Sequence, residues 1–154
     1  ALSSAASDVY KRQVLVKWAV RKTDATILRE EEQWLEVPAL SAVWMDKVEL
    51  PQIDCFNEYV SYEAWENDQI ISQGTVIFSY PKYFHYLNPG LAVRVDGDEI
   101  VVKAEAYAKS VEIRNENDDL ILEDNYFDIN AGEYRVKILD GKPDGLKVRS
   151  VYDI

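Results

Sequence analysis

Residue types that carry out catalysis are few and scattered in this sequence. His85 is the only histidine, so a Ser-His-Asp or Cys-His arrangement would depend on it, and it lies in an aromatic segment with no nucleophile beside it. Cys55 is the only cysteine and has no CxxC or metal-ligand spacing around it, which predicts an ordinary small side chain. The sequence contains no GxSxG, GxxxxGK[ST] or HExxH motif. We therefore assign no catalytic residue to this chain.

Acidic residues occur in two clusters that could in principle bind calcium or act on a glycosidic bond. The spacing of Asn115, Asn117 and Asp119 resembles a calcium loop, but Leu120 stands where that loop needs glycine. Paired glycosidase carboxylates need a cleft that grips the sugar, and residues in turns lack the burial that raises an acid's pKa. We predict solvated turn residues, with no metal site and no cofactor. The two clusters are Asp96, Asp98 and Glu99, and Asp118, Asp119, Glu123, Asp124 and Asp128.

Aromatic side chains are the remaining candidates for a functional role, since they make up 12% of the chain. Trp18 shares the valine face of its strand and is predicted to lie in the core. Trp34, Trp44 and Trp65 are candidates for carbohydrate contact, because an exposed coplanar pair can stack on a sugar ring. Tryptophan is equally typical of cores and domain interfaces, so both interpretations stay open.

The elements that must position these residues are β-strands. Val14 to Val20 alternate with the period of a half-buried strand. Residues 23–26, with Asp24, predict a hairpin turn, and return strands follow at 27–32 and 34–37. A second hairpin is predicted from strands at 59–65 and 70–80, which turn around Asn67 and Asp68.

Beyond residue 90 the predicted strands become short and regularly spaced, with no helical segment between them, which indicates an antiparallel sandwich. The proline-bracketed aromatic stretch before them predicts a stiff, packed connector. We divide the chain into a non-native or disordered tail at 1–13, a partial sandwich at 14–81, an aromatic connector at 82–90 and a second sandwich at 91–154. The predicted fold class is all-β, with two antiparallel sandwiches in tandem.

The net charge of −11 is spread along the chain and disfavours phosphate backbones and anionic lipids. We therefore expect neither nucleic acid nor a membrane as a partner. No apolar stretch approaches the roughly 18 residues of a membrane span. The expected compartment is the bacterial cytoplasm.

Three segments in a fixed order carry a family resemblance. The first is Pro81-Lys82-Tyr83-Phe84, the second is Leu91-Ala92-Val93-Arg94-Val95, and the third is Asp124-Asn125-Tyr126-Phe127-Asp128 followed by Ala131-Gly132-Glu133. Together they resemble the tail of glycoside hydrolase family 2 β-mannosidases, in which a "PPK" ending precedes a last sandwich with a "DNFFD…PGE" segment. Tyr80 in place of the first proline, and Asn130-Ala131 before the glycine, depart from that pattern.

The resemblance implies immunoglobulin-like sandwiches, the first truncated at its N-terminus, from a parent enzyme that hydrolyses terminal β-D-mannose with retention of configuration. In that family the two catalytic glutamates lie on a (β/α)₈ barrel of about 250 residues, so the resemblance gives this chain no catalytic residue. It implies a non-catalytic scaffold that packs on the barrel and meets manno-oligosaccharides only through the parent enzyme. Asp124 to Asp128 would then be structural. The alternatives are a stand-alone carbohydrate-binding sandwich and, less favoured because no repeat is visible, an adhesin-type array.

Overall fold

The computed structural model describes residues 2–3, 11–50 and 52–154. The chain forms two tandem immunoglobulin-like domains built from antiparallel strands, and the described residues contain no α-helix. Two short 3-10 turns occur, at Pro81–Tyr83 and Val151–Asp153. Within the described residues, no helix is long and apolar enough to cross a membrane.

The strands described in the first domain are β1 (Leu2–Ser3), β2 (Arg12–Lys22), β3 (Ile27–Val37), β4 (Ala42–Val43), β5 (Glu58–Glu66) and β6 (Gln69–Ile77). Four of them form a sheet in the order β3-β2-β5-β6, in which all neighbours are antiparallel. The other two, β1 and β4, pair as a two-stranded ribbon.

Both predicted hairpin turns are confirmed, and each has a local cause. The Asp24 carboxylate accepts a hydrogen bond from the Thr26 N–H (2.9 Å), which closes the first turn. In the second turn Asn67 and Asp68 both adopt a positive φ, 48° and 62°, the conformation that a two-residue hairpin requires. The return strands predicted at 27–32 and 34–37 are one strand, β3. Only the break between them is wrong, because Gln33 pairs with Val16 of β2.

The two faces of the first sheet differ in what covers them. Val14, Val16, Trp18 and Val20 point to one side, here called the valine face, and all four are buried. Val43 and Met45 of the segment after β3 pack against this face. The opposite side carries Leu15 and is here called the Leu15 face. The prediction that Trp18 lies in the core is therefore confirmed.

The strands of the second domain are β7 (Ala92–Asp96), β8 (Glu99–Ala104), β9 (Ala108–Arg114), β10 (Ile121–Leu122), β11 (Phe127–Ile129), β12 (Gly132–Asp140) and β13 (Lys147–Arg149). They form a sandwich of two sheets, with strand orders β10-β12-β8-β7 and β11-β9-β13. The core is formed by apolar side chains from both sheets, among them Ile100, Val102, Val111 and Phe127.

The predicted tail at 1–13 lies largely outside the described residues. Leu2–Ser3 form β1 and pair with Ala42–Val43. At the other end of the tail, β2 already begins at Arg12, two residues before the predicted start.

Candidate functional site

The only histidine lies at the junction between the domains. The His85 N–H donates to the Phe56 carbonyl (2.8 Å), its Nδ1 lies 2.9 Å from the Asn57 side-chain oxygen, and its ring stacks on Phe56. Cys55 is half-buried and free. Among the described residues, no group of three or more His, Cys, Asp or Glu side chains is placed to hold a metal ion. These contacts give His85 a role in joining backbone segments.

The signature segment Asp124 to Asp128 ties together parts of the second domain. The Asn125 side chain forms two hydrogen bonds with the backbone of Ile113 in β9. Its oxygen accepts from the Ile113 N–H (2.9 Å), and its amide group donates to the Ile113 carbonyl (3.1 Å). Phe127 stacks on Tyr134 at 4.1 Å between ring centroids. The Tyr134 hydroxyl in turn donates to Asp124 (3.0 Å).

Tyr126 anchors the same segment to a side chain of β9. Its hydroxyl donates to the Glu112 carboxylate (2.8 Å), which also forms an ion pair with Arg149 of β13. The Arg149 and Tyr126 hydrogen bonds hold the pKa of Glu112 below its ordinary value. The segment therefore fixes β9, β11 and β13 to one another through side chains.

Asp128 links the two domains. Its carboxylate accepts from the Lys109 ammonium (3.0 Å), from the Ser110 N–H (2.7 Å) and from the Thr75 hydroxyl of the first domain. Thr75 Oγ1 also lies 2.5 Å from the Tyr107 hydroxyl. Because a carboxylate only accepts, the Thr75 proton points to Asp128, and Tyr107 donates to Thr75. The prediction of a solvated turn residue is wrong for Asp128, whose side chain is only 13% exposed.

An aromatic cluster forms the second part of the junction, beside the Asp128 network. Tyr59 of the first domain stacks on Tyr107 of the second, with ring centroids 3.8 Å apart and planes 13° apart, and both side chains are fully buried. Phe84 and Tyr86 of the connector pack against this pair. The Tyr59 hydroxyl donates to the Asn130 side chain across the junction (2.7 Å).

Burial sets the electrostatics of this cluster. It raises the pKa of Tyr59 and Tyr107 well above the ordinary tyrosine value, because the phenolate would lose its hydration. It also raises the pKa of Tyr86 to about 12. All three phenols are thus neutral at physiological pH, so the junction has the chemistry of a structural contact.

Sequence reasoning missed most of this junction. Tyr59, Thr75, Tyr107 and Lys109 come from strands and loops far apart along the chain, and none belongs to a recognisable motif. The available signal was the final aspartate of the signature segment. Asp128 directly precedes Ile129, a strand residue that is only 4% exposed. An acid in that position was a candidate for a hydrogen bond with a buried partner.

The three candidate tryptophans separate into a pair and a single residue. Leu15 of β2 is the register partner of both Trp34 on β3 and Trp65 on β5, so the three side chains form one row on the Leu15 face. Trp34 is 65% exposed and Trp65 is half-buried. Trp44 is 78% exposed and follows β4, in the segment that packs against the valine face.

Comparison with known proteins agrees with this architecture. Residues 5–83 match the sequence model described as a mannosidase Ig/CBM-like domain, and residues 86–154 match an Ig-fold domain of mannosidases. Among curated proteins no significant match is found.

Among solved structures, the β-D-mannosidase from Dictyoglomus thermophilum superposes with a TM-score of 0.68 at 18% sequence identity. That alignment covers 92% of this chain but only 19% of the mannosidase chain. The shared fold and the two matched ranges, which meet inside the aromatic connector, lead to one assignment: the chain belongs to the mannosidase Ig/CBM-like domain family and continues into the Ig-fold domain of mannosidases.

Proposed function

We propose that the two domains form a rigid, non-catalytic accessory unit of a retaining family 2 β-mannosidase, which acts on terminal β-D-mannose. In this role they pack against the catalytic barrel and support it. The family assignment and the likeness to the Dictyoglomus thermophilum β-D-mannosidase supply the context. In this proposal the manno-oligosaccharide substrate is hydrolysed on the barrel of the parent enzyme.

The observation that carries the proposal is the junction between the domains. A stacked tyrosine pair and a buried carboxylate network span it. Backbone hydrogen bonds cross it as well, from the Tyr107 N–H to the Thr23 carbonyl (3.1 Å) and from the His85 N–H to the Phe56 carbonyl (2.8 Å). Contacts of both kinds fix orientation, whereas flexibly linked domains share smaller and more polar interfaces. A unit of fixed shape is suited to brace a larger domain.

The test uses the full-length β-mannosidase that carries these domains, with and without residues 86–154. We expect the truncated enzyme to lose thermal stability, because the barrel surface that the domains cover becomes exposed to water. Because truncation can prevent folding altogether, Asp128→Ala in the intact enzyme provides a milder perturbation of the same unit. Unchanged melting temperature and activity in both variants would refute the bracing role.

A second arm tests the non-catalytic part of the proposal. The 154-residue chain is incubated with an aryl β-D-mannoside, and release of the aryl alcohol is followed by absorbance. We expect no turnover above the buffer rate, since in this proposal the catalytic carboxylates belong to the barrel of the parent enzyme. Turnover that persists after repurification would contradict it.

A further inference from the structure

The Leu15 face carries an exposed row of aromatic and aliphatic side chains. Because Leu15 is opposite both Trp34 and Trp65, the two tryptophans project from strands about 10 Å apart, which is two inter-strand spacings. The Lys17 ammonium lies 5.4 Å from the Trp65 ring centroid, and the Trp65 indole N–H donates to Glu63 (2.8 Å). Trp65 is therefore held in place, while Trp34 presents its ring to solvent.

A groove runs beside this row on the same face. It encloses about 360 Å³, a volume within the range of ligand sites. Its floor is β2 at Lys17, Ala19 and Arg21, and carboxylates flank it on both neighbouring strands. Lys17 is the register partner of Glu32 on one side and of Glu63 on the other.

The charges in this groove restrict what it can bind. Glu30, Glu32 and Glu63 outnumber the two cations, Lys17 and Arg21, so phosphorylated or otherwise anionic ligands are repelled. Within the described residues the three carboxylates do not come together as a metal-binding group. Glu30 and Glu32 also form no ion pair or side-chain hydrogen bond in this part of the chain, so their oxygens are available as acceptors.

A neutral oligosaccharide matches both parts of this surface. The C–H face of a sugar ring is apolar and stacks on an indole, and the hydroxyl groups at its edge donate to carboxylates and accept from an ammonium group. We propose that the row Trp34-Leu15-Trp65 and the adjoining groove form a binding platform for a neutral oligosaccharide. This site would operate in a free-standing module as well as in an enzyme, so it does not depend on the accessory role proposed above.

The groove lies next to the domain junction. Ser61 in the groove is the register partner of Thr75, and Thr75 is the residue that bonds to Asp128 of the second domain. One side of the groove is therefore a single strand away from the junction.

The experiment titrates the 154-residue chain with β-manno-oligosaccharides, and follows intrinsic tryptophan fluorescence together with calorimetry. An acidic uronate oligomer of similar length provides the charged comparison. Trp34→Ala is the test variant and Trp34→Phe the conservative one. Trp44→Ala is the matched control, because Trp44 is even more exposed than Trp34 but belongs to the segment on the valine face. Thermal melts of all variants confirm that each is folded.

We expect saturable binding of the neutral oligosaccharide and none of the uronate. Trp34→Ala should weaken binding about ten-fold, the size of one stacking contact, and Trp34→Phe should restore part of it. Trp44→Ala should leave affinity within about two-fold. Equal effects of the Trp34 and Trp44 substitutions would overturn the proposal.

The absence of a saturable signal up to about 10 mM ligand, an affinity weaker than any specific site, would also overturn it. If, in addition, Trp34→Ala but not Trp44→Ala destabilises the full-length enzyme, the Leu15 face is a protein contact and the oligosaccharide proposal fails. The accessory role is judged separately, by the truncation described above, so failure of one proposal is distinguishable from failure of the other.

Discussion

Replacing Asp128 with alanine removes the acceptor at the centre of the domain junction. The substitution leaves three donors without their partner: the Lys109 ammonium, the Ser110 N–H and the Thr75 hydroxyl. Two of these groups are neutral, and each costs about 1 kcal/mol or more when buried without a partner. Lys109 is 20% exposed and recovers part of its hydration, so its contribution lies at the low end of the roughly 1.5–3 kcal/mol of a charged hydrogen bond.

The expected loss is therefore about 3.5 kcal/mol in the free energy of unfolding. For a chain of this length it corresponds to a fall in melting temperature of roughly 7–14 °C. Urea denaturation followed by circular dichroism measures the free energy, and scanning calorimetry measures the melting temperature. Small-angle X-ray scattering should also give a larger radius of gyration, because without the network the two domains are no longer held in one relative orientation.

Asp118→Ala is the matched control for this substitution. The Asp118 carboxylate is 58% exposed and pairs with Arg114 four residues earlier, an arrangement typically worth well under 1 kcal/mol. In a double-mutant cycle, Lys109→Met should reduce the effect of Asp128→Ala, because the orphaned charge is no longer present. If Asp128→Ala and Asp118→Ala both stay within about 0.5 kcal/mol of the unmodified chain, the network does not hold the domains together.

Three further perturbations test separate parts of the structure. Gly141→Ala should lower the free energy of unfolding by about 2–4 kcal/mol, because a Cβ at φ +88° would come 2.7 Å from the Asp119 carbonyl oxygen. The control Gly97→Ala, at φ +65° with no atom within 4 Å of the added Cβ, should lower it by only about 1 kcal/mol. Equal urea midpoints for the two variants would contradict the clash at Gly141. Asn125→Asp should lower the free energy of unfolding by about 1–2 kcal/mol, because it loses the donor to the β9 carbonyl; hydrogen exchange that is unchanged along β9 would count against this role. Burial raises the pKa of Tyr107, so above about pH 10 the phenol ionises in the unfolded state first, and the stability that Tyr107 contributes below pH 10 is lost as the pH rises. Absorbance at 295 nm should therefore show late phenolate formation that accompanies unfolding. A single ionisation step near pH 10 in a chain that stays folded would refute this prediction.

Local signals in the sequence predicted the parts of the fold that depend on neighbouring residues. Asp24 indicated the first turn, because its carboxylate accepts a hydrogen bond from the N–H two residues ahead. Asn67 and Asp68 indicated the second turn, because these residue types tolerate a positive φ. The break assumed inside β3 was wrong, because the pairing of an edge strand depends on its partner. Glu30 to Glu32 were predicted as strand, but the strand was ended before Gln33, which pairs with Val16 of β2.

The candidate sites depended on pairings that no local pattern contains. Trp34, Trp44 and Trp65 were equivalent in the sequence, and only the common register partner Leu15 places two of them in one row. Asp128 was grouped with solvated acids because its partner Thr75 comes from the other domain. In both cases the deciding contact joins residues that are distant along the chain, so it becomes visible only when the strands are assembled.

The junction and the groove meet in one cross-strand row of the first sheet. Ala19, Ser61 and Thr75 are consecutive register partners across β2, β5 and β6. Thr75 is held by Asp128, while Ala19 and Ser61 line the groove. Loosening the junction therefore moves one side of the groove, whereas truncating Trp34, which lies in the separate row with Leu15, leaves the junction untouched. This asymmetry explains how one sheet can brace a second domain on part of a face and present a ligand platform on the rest, because each task uses different rows of the same strands.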